Sequence, residues 1–347
     1  SKKISGQEPQ VVFYDVTTIY FETDNQDGLR RSGFSKEGRH SNPQILLALL
    51  VNQDGYPLSY EIFEGNKYEG HTMLPVIEAF KKKYKLSKLV IVADSGLISR
   101  KNVDELAGLG YEYIIGERLK TKEAIITEKI LAMQLKDGES SEIYVKGTER
   151  LIISYSAKRA IKDEHNRAKG LEKLSKRIKS GKLTKSSINN KGYNKFLRMD
   201  GEIRLTLDQS KLEEDKKWDG LKGYSTNTKI SKEEVLHQYH NLWRIEQAFR
   251  ISKTDIRIRP IFHRLRRRIA AHICISFCAY KIYKELERKL KNSDAKISVL
   301  NAIEIANSIY KIELINPFTN KAIDKIVFNN QEQIKLLKLL DSPWVSQ

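Results

Sequence analysis

The sequence predicts an α/β (α+β) chain, a mixed sheet flanked by helices, with a large basic insertion that carries strands of its own. Three observations lead there. Short β-branched and aromatic runs crowd the first 63 residues, and helical and apolar segments then alternate as far as residue 116. That alternation breaks over 117–230, where lysine-rich and low-hydrophobicity stretches enter. From about 231 the apolar residues return at helical spacing. The resulting segments are 1–116, 117–230 and 231–347.

QVVFYDVTTIY, 10–20, is a strand by composition, interrupted by one acid, Asp15. QILLALLV, 44–51, and PLSYEIF, 57–63, flank the turn NQDG and complete an antiparallel meander. HTMLPVIEAFKKKY, 71–84, has helical spacing and a basic end. KLVIVAD, 88–94, is a continuous apolar run suited to a strand buried on both faces, and it ends in Asp94 before Ser95-Gly96. ISRKNVDELAGLG, 98–110, reads as a helix with a glycine stop, and YEYIIG, 111–116, as the next strand. Strand, helix, strand, helix, strand is the order of parallel pairing with helices on the sheet faces. In the middle segment IYVKGTERLIISYS, 143–156, reads as a hairpin, a basic helix runs to about 180, and EIRLTLD, 202–208, is another strand. YHNLWRIEQAFRISK, 239–253, reads as one helix. In it Tyr239, Glu246 and Lys253 recur every seven residues beside an apolar stripe of Leu242, Ile245 and Phe249. RIRPIF is expected to end that helix at Pro260.

The 347 residues carry 62 Lys and Arg against 44 Asp and Glu, a net charge of +18. Residues 1–115 hold a net −1, 116–230 a net +10 and 231–347 a net +9. A polyanionic partner, most often nucleic acid, accounts for that distribution, with solubility as the plainer alternative. No apolar run approaches the length of a membrane span, and SKKISGQEPQ lacks the apolar core of a signal peptide. The absence of an initiator Met suggests a trimmed or processed chain, from which an upstream region could be missing. Cys274 and Cys278, the two cysteines, sit four apart in an apolar helix. They are expected to be buried free thiols, which suits a reducing cytoplasm.

A carboxylate inside an apolar strand is costly unless it is paired or binds a cation. Asp15 is in that position, and Asp94 ends a strand that can lie beside it in parallel. Asp94 in D-S-G also reads as a turn residue. Glu246, returned to the sheet by a later helix, would be a third carboxylate. Three carboxylates without a His or Cys cluster suit hard cations such as Mg²⁺ or Mn²⁺. Two such ions about 3.5–4 Å apart clamp the attacking and leaving oxygens of a phosphoryl displacement.

FYDVTT, VADSGL and YHNLWRIEQAFRISK, in that order, resemble the three blocks of the DDE transposases of bacterial insertion sequences. The third block is similar to the branch that reads Tyr, two residues, Arg, three residues, Glu, six residues, Lys. YPLSYEIFEGNKYEGHTMLPVIE, 56–78, is similar to the family's segment between the two aspartates. Leu242 departs from the pattern, standing where the family has Arg, with Arg244 two residues later.

The resemblance implies an RNase H-like catalytic fold with an insertion ahead of the helix that carries Glu246. It implies that Asp15, Asp94 and Glu246 bind two Mg²⁺ ions, with Mn²⁺ substituting. Water would cut one strand at an element end and the freed 3′-OH would attack, first through a DNA hairpin and later at the target. Tyr239 and Lys253 would hold phosphates. Trp243 would stack near a flipped base or, on the plainer reading, pack in the core. Arg244, Arg250, Arg264, Arg266 and Arg267 would follow the DNA backbone. The partners would be terminal repeats and target DNA, with a dimer on DNA, no membrane and no small-molecule substrate, in a bacterial cytoplasm at the nucleoid. A metal nuclease without strand transfer and an inactive DNA-binding relative are the alternatives.

Overall fold

The computed structural model describes residues 11–34, 41–84, 86, 89–96, 100–180, 183, 187–189, 192–200, 204–293, 296–315, 317–320 and 322–341. Residues 10, 88, 98–99, 202–203 and parts of 181–191 in the segments above lie outside them. Among the described residues no helix is long and apolar enough to cross a membrane.

The main sheet has eight strands: β1 (Val11–Tyr20), β2 (Gln44–Val51), β3 (Pro57–Glu64), β4 (Val90–Ala93), β5 (Glu112–Glu117), β6 (Ser140–Lys146), β7 (Glu149–Tyr155) and β10 (Leu221–Thr226). Their order is β3-β2-β1-β4-β5-β10-β7-β6. β1, β4 and β5 are parallel neighbours, and β10 runs antiparallel to β5 and to β7. The expected sheet with parallel and antiparallel strands is thus present. Strands β6, β7 and β10 of the segment read as an insertion extend this same sheet. β10 fits because Tyr224, Ser225 and Thr226 are all buried between two strands far away in sequence. The rest of that segment branches away from the sheet: α4 (Ala157–Lys179), the small pair β8 (Leu197–Asp200) and β9 (Arg204–Leu207), and α5 (Gln209–Lys216).

The chain forms two compact units, Ser1–Asp15 with Tyr68–Trp243, and Val16–Lys67 with Arg244–Gln347. In the first, α1 (Met73–Tyr84) and α2 (Arg100–Gly108) are the crossovers of the parallel strands, and α3 is Ala124–Leu131. Gly110, at φ +73°, provides the glycine stop after α2. Leu119, Ile130, Leu151 and Ile153 form a local core under β7. α6 (Lys232–His240) begins at the Ser231 cap and packs on β4, β5 and β6.

In the second unit β2 is buried along its whole length, and β2 and β3 join through Asn52–Gly55, where the Gly55 N–H donates to the Asn52 carbonyl. α7 (Trp243–Thr254) is followed by the long α8 (Arg266–Lys291). α8 rests on β3 through Phe277, tilted on Tyr60 at 4.7 Å, and through the Tyr280 hydroxyl, which donates to the Gly55 carbonyl at 2.9 Å. A small core of Leu290, Val299, Ala302, Ile305 and Leu336 joins the end of α8 to α9 (Val299–Asn307) and α10 (Gln331–Leu339). The pair β11 (Tyr310–Ile315) and β12 (Ala322–Val327) completes the unit.

Three expectations are corrected. The segment 239–253 is two helices: Asn241 caps α6 and Leu242 separates it from α7, so the heptad of Tyr239, Glu246 and Lys253 does not share one helix face. α7 stops at Thr254, before Pro260, because Arg257 adopts φ +55°. Cys274 and Cys278 are exposed, since α8 turns Ile269, Ile273, Ser276 and Tyr280 inward instead.

A charged cluster binds α2 to the sheet. Arg100 donates both terminal nitrogens to Glu149 at 2.6 Å, and the Ser225 hydroxyl donates to the same carboxylate at 2.9 Å. Burial pushes the Glu149 carboxyl up, but these donors and the Arg100 charge outweigh it and hold it below the usual carboxylate range. Its contribution is complete above that range and is lost as pH falls through the depressed value. Glu149→Gln is expected to cost roughly 1–3 kcal/mol at neutral pH, reduced from a fully buried pair by the half-exposed Arg100. Urea unfolding at neutral and acid pH checks this: the loss narrows as pH drops.

Candidate active site

The parallel register of β1 and β4 pairs Val11 with Val90, Val12 with Ile91 and Phe13 with Val92. The paired register runs as far as Phe13 and Val92; continued two residues, it would bring Asp15 opposite Asp94 on the same face of the sheet. Tyr14, of opposite parity, is fully buried and hydrogen-bonds Thr72 at 2.6 Å. Burial, followed by the nearby Asp15 charge, keeps its phenol neutral far above the ordinary range. That bond anchors β1 at the residue next to Asp15, which is itself half-buried.

Asp94 lies just past the end of β4 and is exposed. The Tyr239 hydroxyl, on α6, donates to its Oδ1 at 2.8 Å. Tyr239 is only 4 % exposed. Burial pushes its phenol well above the ordinary range, and the Asp94 charge pushes it further, so it stays a donor. Its ring meets Tyr224 edge-on at 4.7 Å, and Lys222 Nζ lies 4.5 Å from its centroid. β5 leaves room for the phenol only because residue 116 is glycine. A Cβ there would stand 2.3 Å from Tyr239 Oη and 3.1 Å from Cζ.

A cleft of about 290 Å³ opens at this point. Asp94, Gly116 and Tyr239 form one side, and Lys120, Arg159, Trp218 and Lys222 contribute to the rest. Lys120 is paired with Asp215 at 2.6 Å, and Arg159 leaves the first turn of α4. Sequence reasoning missed Gly116, Lys120, Arg159, Trp218 and Lys222. For Gly116 a signal existed, a glycine inside an otherwise apolar strand. For the others no linear motif exists.

The remaining candidates lie on α7 and α8 or between them. Glu246 is exposed in the first turn of α7, and Trp243 at its start is 49 % exposed, which excludes simple core packing. Arg250, Arg264, Arg266 and Arg267 are exposed, and Arg244 and Lys253 are half-buried. Leu242, where the resembling family has Arg, is a buried apolar residue. All except Trp243 and Leu242 belong to the second unit, whereas Asp15, Asp94 and Tyr239 belong to the first.

Asp15 and Asp94 offer oxygen donors only, a set that fits a hard divalent cation. Among the described residues no group of three or more His, Cys, Asp and Glu is placed to hold one.

The transposase DDE domain family matches residues 6–282. The chain belongs to that family. No curated protein sequence matches the chain. Among solved structures it is similar to piggyBac transposase in a synaptic complex with hairpin DNA, at 8 % identity, covering 84 % of this chain and 50 % of that one, with a TM-score of 0.48. It is also similar to Mos1 transposase in a paired-end complex with the left transposon end, at 15 % identity, 32 % and 37 % coverage, and a TM-score of 0.22. The chain therefore spans half of the piggyBac chain and about a third of the Mos1 chain.

The Gly116–Tyr239 approach has a measurable signature. Gly116→Ala is expected to destabilise by about 1–3 kcal/mol. In a Tyr239→Phe background the same change costs less, because the hydroxyl it strikes is gone. A double-mutant cycle from urea unfolding gives the coupling; additivity would mean the phenol is not held there.

Proposed function

We propose that this chain is the catalytic core of a DNA transposase that cuts one strand at the ends of an element and joins the freed 3′-OH to target DNA. The observation that supports this reading is the parallel pairing of β1 with β4 in a DDE-family chain, a register that, continued two residues, would bring Asp15 opposite Asp94. Glu246 joins them on its sequence block alone. These three would hold two divalent ions, Mg²⁺ with Mn²⁺ as a substitute. When bound, such ions stabilise charge on the scissile phosphate and make water or a 3′-OH a better nucleophile.

The chain's own groups have distinct tasks. Tyr239 donates to one oxygen of Asp94 and would leave the other to a divalent ion. This brace stands in the proposal beside the phosphate contact expected of Tyr239. Lys120, Arg159 and Lys222 line the cleft beside Asp94 and would receive backbone phosphates there. Trp243, half exposed, would stack on a displaced base. Arg250, Arg264, Arg266 and Arg267 offer exposed guanidinium groups for backbone phosphates, with Arg244 and Lys253 closer to the protein surface. Three functional segments, 1–116, 117–230 and 231–347, and a dimer on DNA belong to this proposal, as does cutting of the second strand through a hairpin. Cytoplasmic action at the nucleoid is part of it too.

Nicking of a labelled supercoiled plasmid tests the proposal. With Mg²⁺ or Mn²⁺ the chain is expected to nick, EDTA abolishes the nicking, and Glu246→Gln lowers it by about 10³-fold or more. Joined products with a 3′-OH oligonucleotide separate a transposase from a nuclease without transfer. DNA binding without cleavage in any metal would instead fit an inactive relative. Lys222→Ala with Arg159→Ala is expected to weaken DNA binding about equally across sequences. The same pair flattens its salt dependence by about one unit for each phosphate no longer neutralised.

A further inference from the structure

α8 has two apolar faces, and the fold uses one of them. Ile269, Ile273, Ser276, Tyr280, Lys284 and Leu290 are buried. On the opposite side Ala271, Ile275, Cys278 and Ile282 are exposed, the two isoleucines at 70 % each. A single exposed isoleucine is ordinary. Four apolar residues at spacings of four, three and four are the seam of a two-helix pair.

The residues at the ends of this seam say what covers it. Continuing the same spacing outward reaches Arg268 on one side and Glu285 on the other. Arg268 is exposed, and Glu285 is half-buried and bound to Arg288 only three residues away. Now let a second α8 lie antiparallel to the first, with the twofold axis between Ser276 and Phe277. Every layer then pairs unlike residues: Arg268 with Glu285, Ala271 with Ile282, Ile275 with Cys278, and the same three in reverse. Charge meets opposite charge, and the smallest side chain meets a large one. A parallel pair would stack Arg268 on Arg268 and Glu285 on Glu285, so the end charges select the antiparallel arrangement. The surface is complementary to itself, which is the requirement of an isologous twofold interface.

We infer that the exposed face of α8 is a self-docking surface through which two copies of this chain pair antiparallel, with Ile275 and Cys278 at the centre and Arg268–Glu285 pairs at both ends. The competing Glu285–Arg288 pair is an exposed local contact of small worth and gives way readily. This inference rests on α8 alone and stands apart from the transposase reading, so either can fail without the other.

Sedimentation velocity of the full chain without DNA, across the micromolar range, tests it. A dimer is expected. Ile282→Asp gives a monomer with unchanged circular dichroism, because the side chain is exposed. Arg268→Glu raises the dissociation constant by about tenfold or more, by facing like charges at both ends. Adding Glu285→Arg to Arg268→Glu restores the dimer. Under mild oxidation Cys274 and Cys278, nearly level across the axis, cross-link two copies, and Cys274→Ser with Cys278→Ser abolishes the cross-link. A monomer at every concentration overturns the inference. So does a dimer indifferent to Ile282→Asp, or one that the charge swap fails to restore.

Discussion

Two parallel strands in register are the constraint on which the proposed site depends. β1 and β4 pair from Val11–Val90 to Phe13–Val92, and that register continued by two residues would bring Asp15 opposite Asp94. A slip of one residue would turn one carboxylate to the opposite face. The register is held on the far side by Tyr14 on Thr72 and on the near side by Tyr239 on Asp94. Both phenols are buried; the Tyr14–Thr72 bond is buried as a whole, so water competes poorly there, whereas the Tyr239 bond ends on the exposed Asp94. Much of the first unit serves this one alignment. β5 supplies the glycine that admits Tyr239, β10 supplies Tyr224 against its ring, and α6 carries the residue itself.

The proposed site draws its carboxylates from neighbouring strands, and the DDE family supplies the reason to expect a hard cation with them. Lys120, Arg159 and Lys222 line the cleft that Asp94 also lines, and in the proposed reading they meet a phosphate backbone.

Much of this was legible in the sequence because it is local. Apolar runs marked β1, β2 and β4, and glycine marked the end of α2; Asp15, inside an apolar strand, and Asp94, after VIVA, were readable as candidates for the proposed site. What the sequence hid was long-range or subtle. β10 reaches its partners β5 and β7 across more than a hundred and about seventy residues, respectively, and no local signal announces that pairing. The break at Asn241–Leu242 was hidden because the apolar pattern runs on through it, so Tyr239 was read on the helix of Glu246 when it stands on its own, braced against Asp94. The thiols of Cys274 and Cys278 were misplaced for a related reason: a helix apolar on two sides gives no hint which side the core takes.

Mn²⁺ binding, followed by calorimetry and by the loss of the free-ion paramagnetic resonance signal, tests the central alignment most directly. The account predicts binding by the unaltered chain, its loss in Asp15→Asn and in Asp94→Asn, and a weakened but detectable affinity in Tyr239→Phe. Equal Mn²⁺ affinity in all four proteins would contradict it, since the two carboxylates would then not be the ligands that the β1–β4 register brings together.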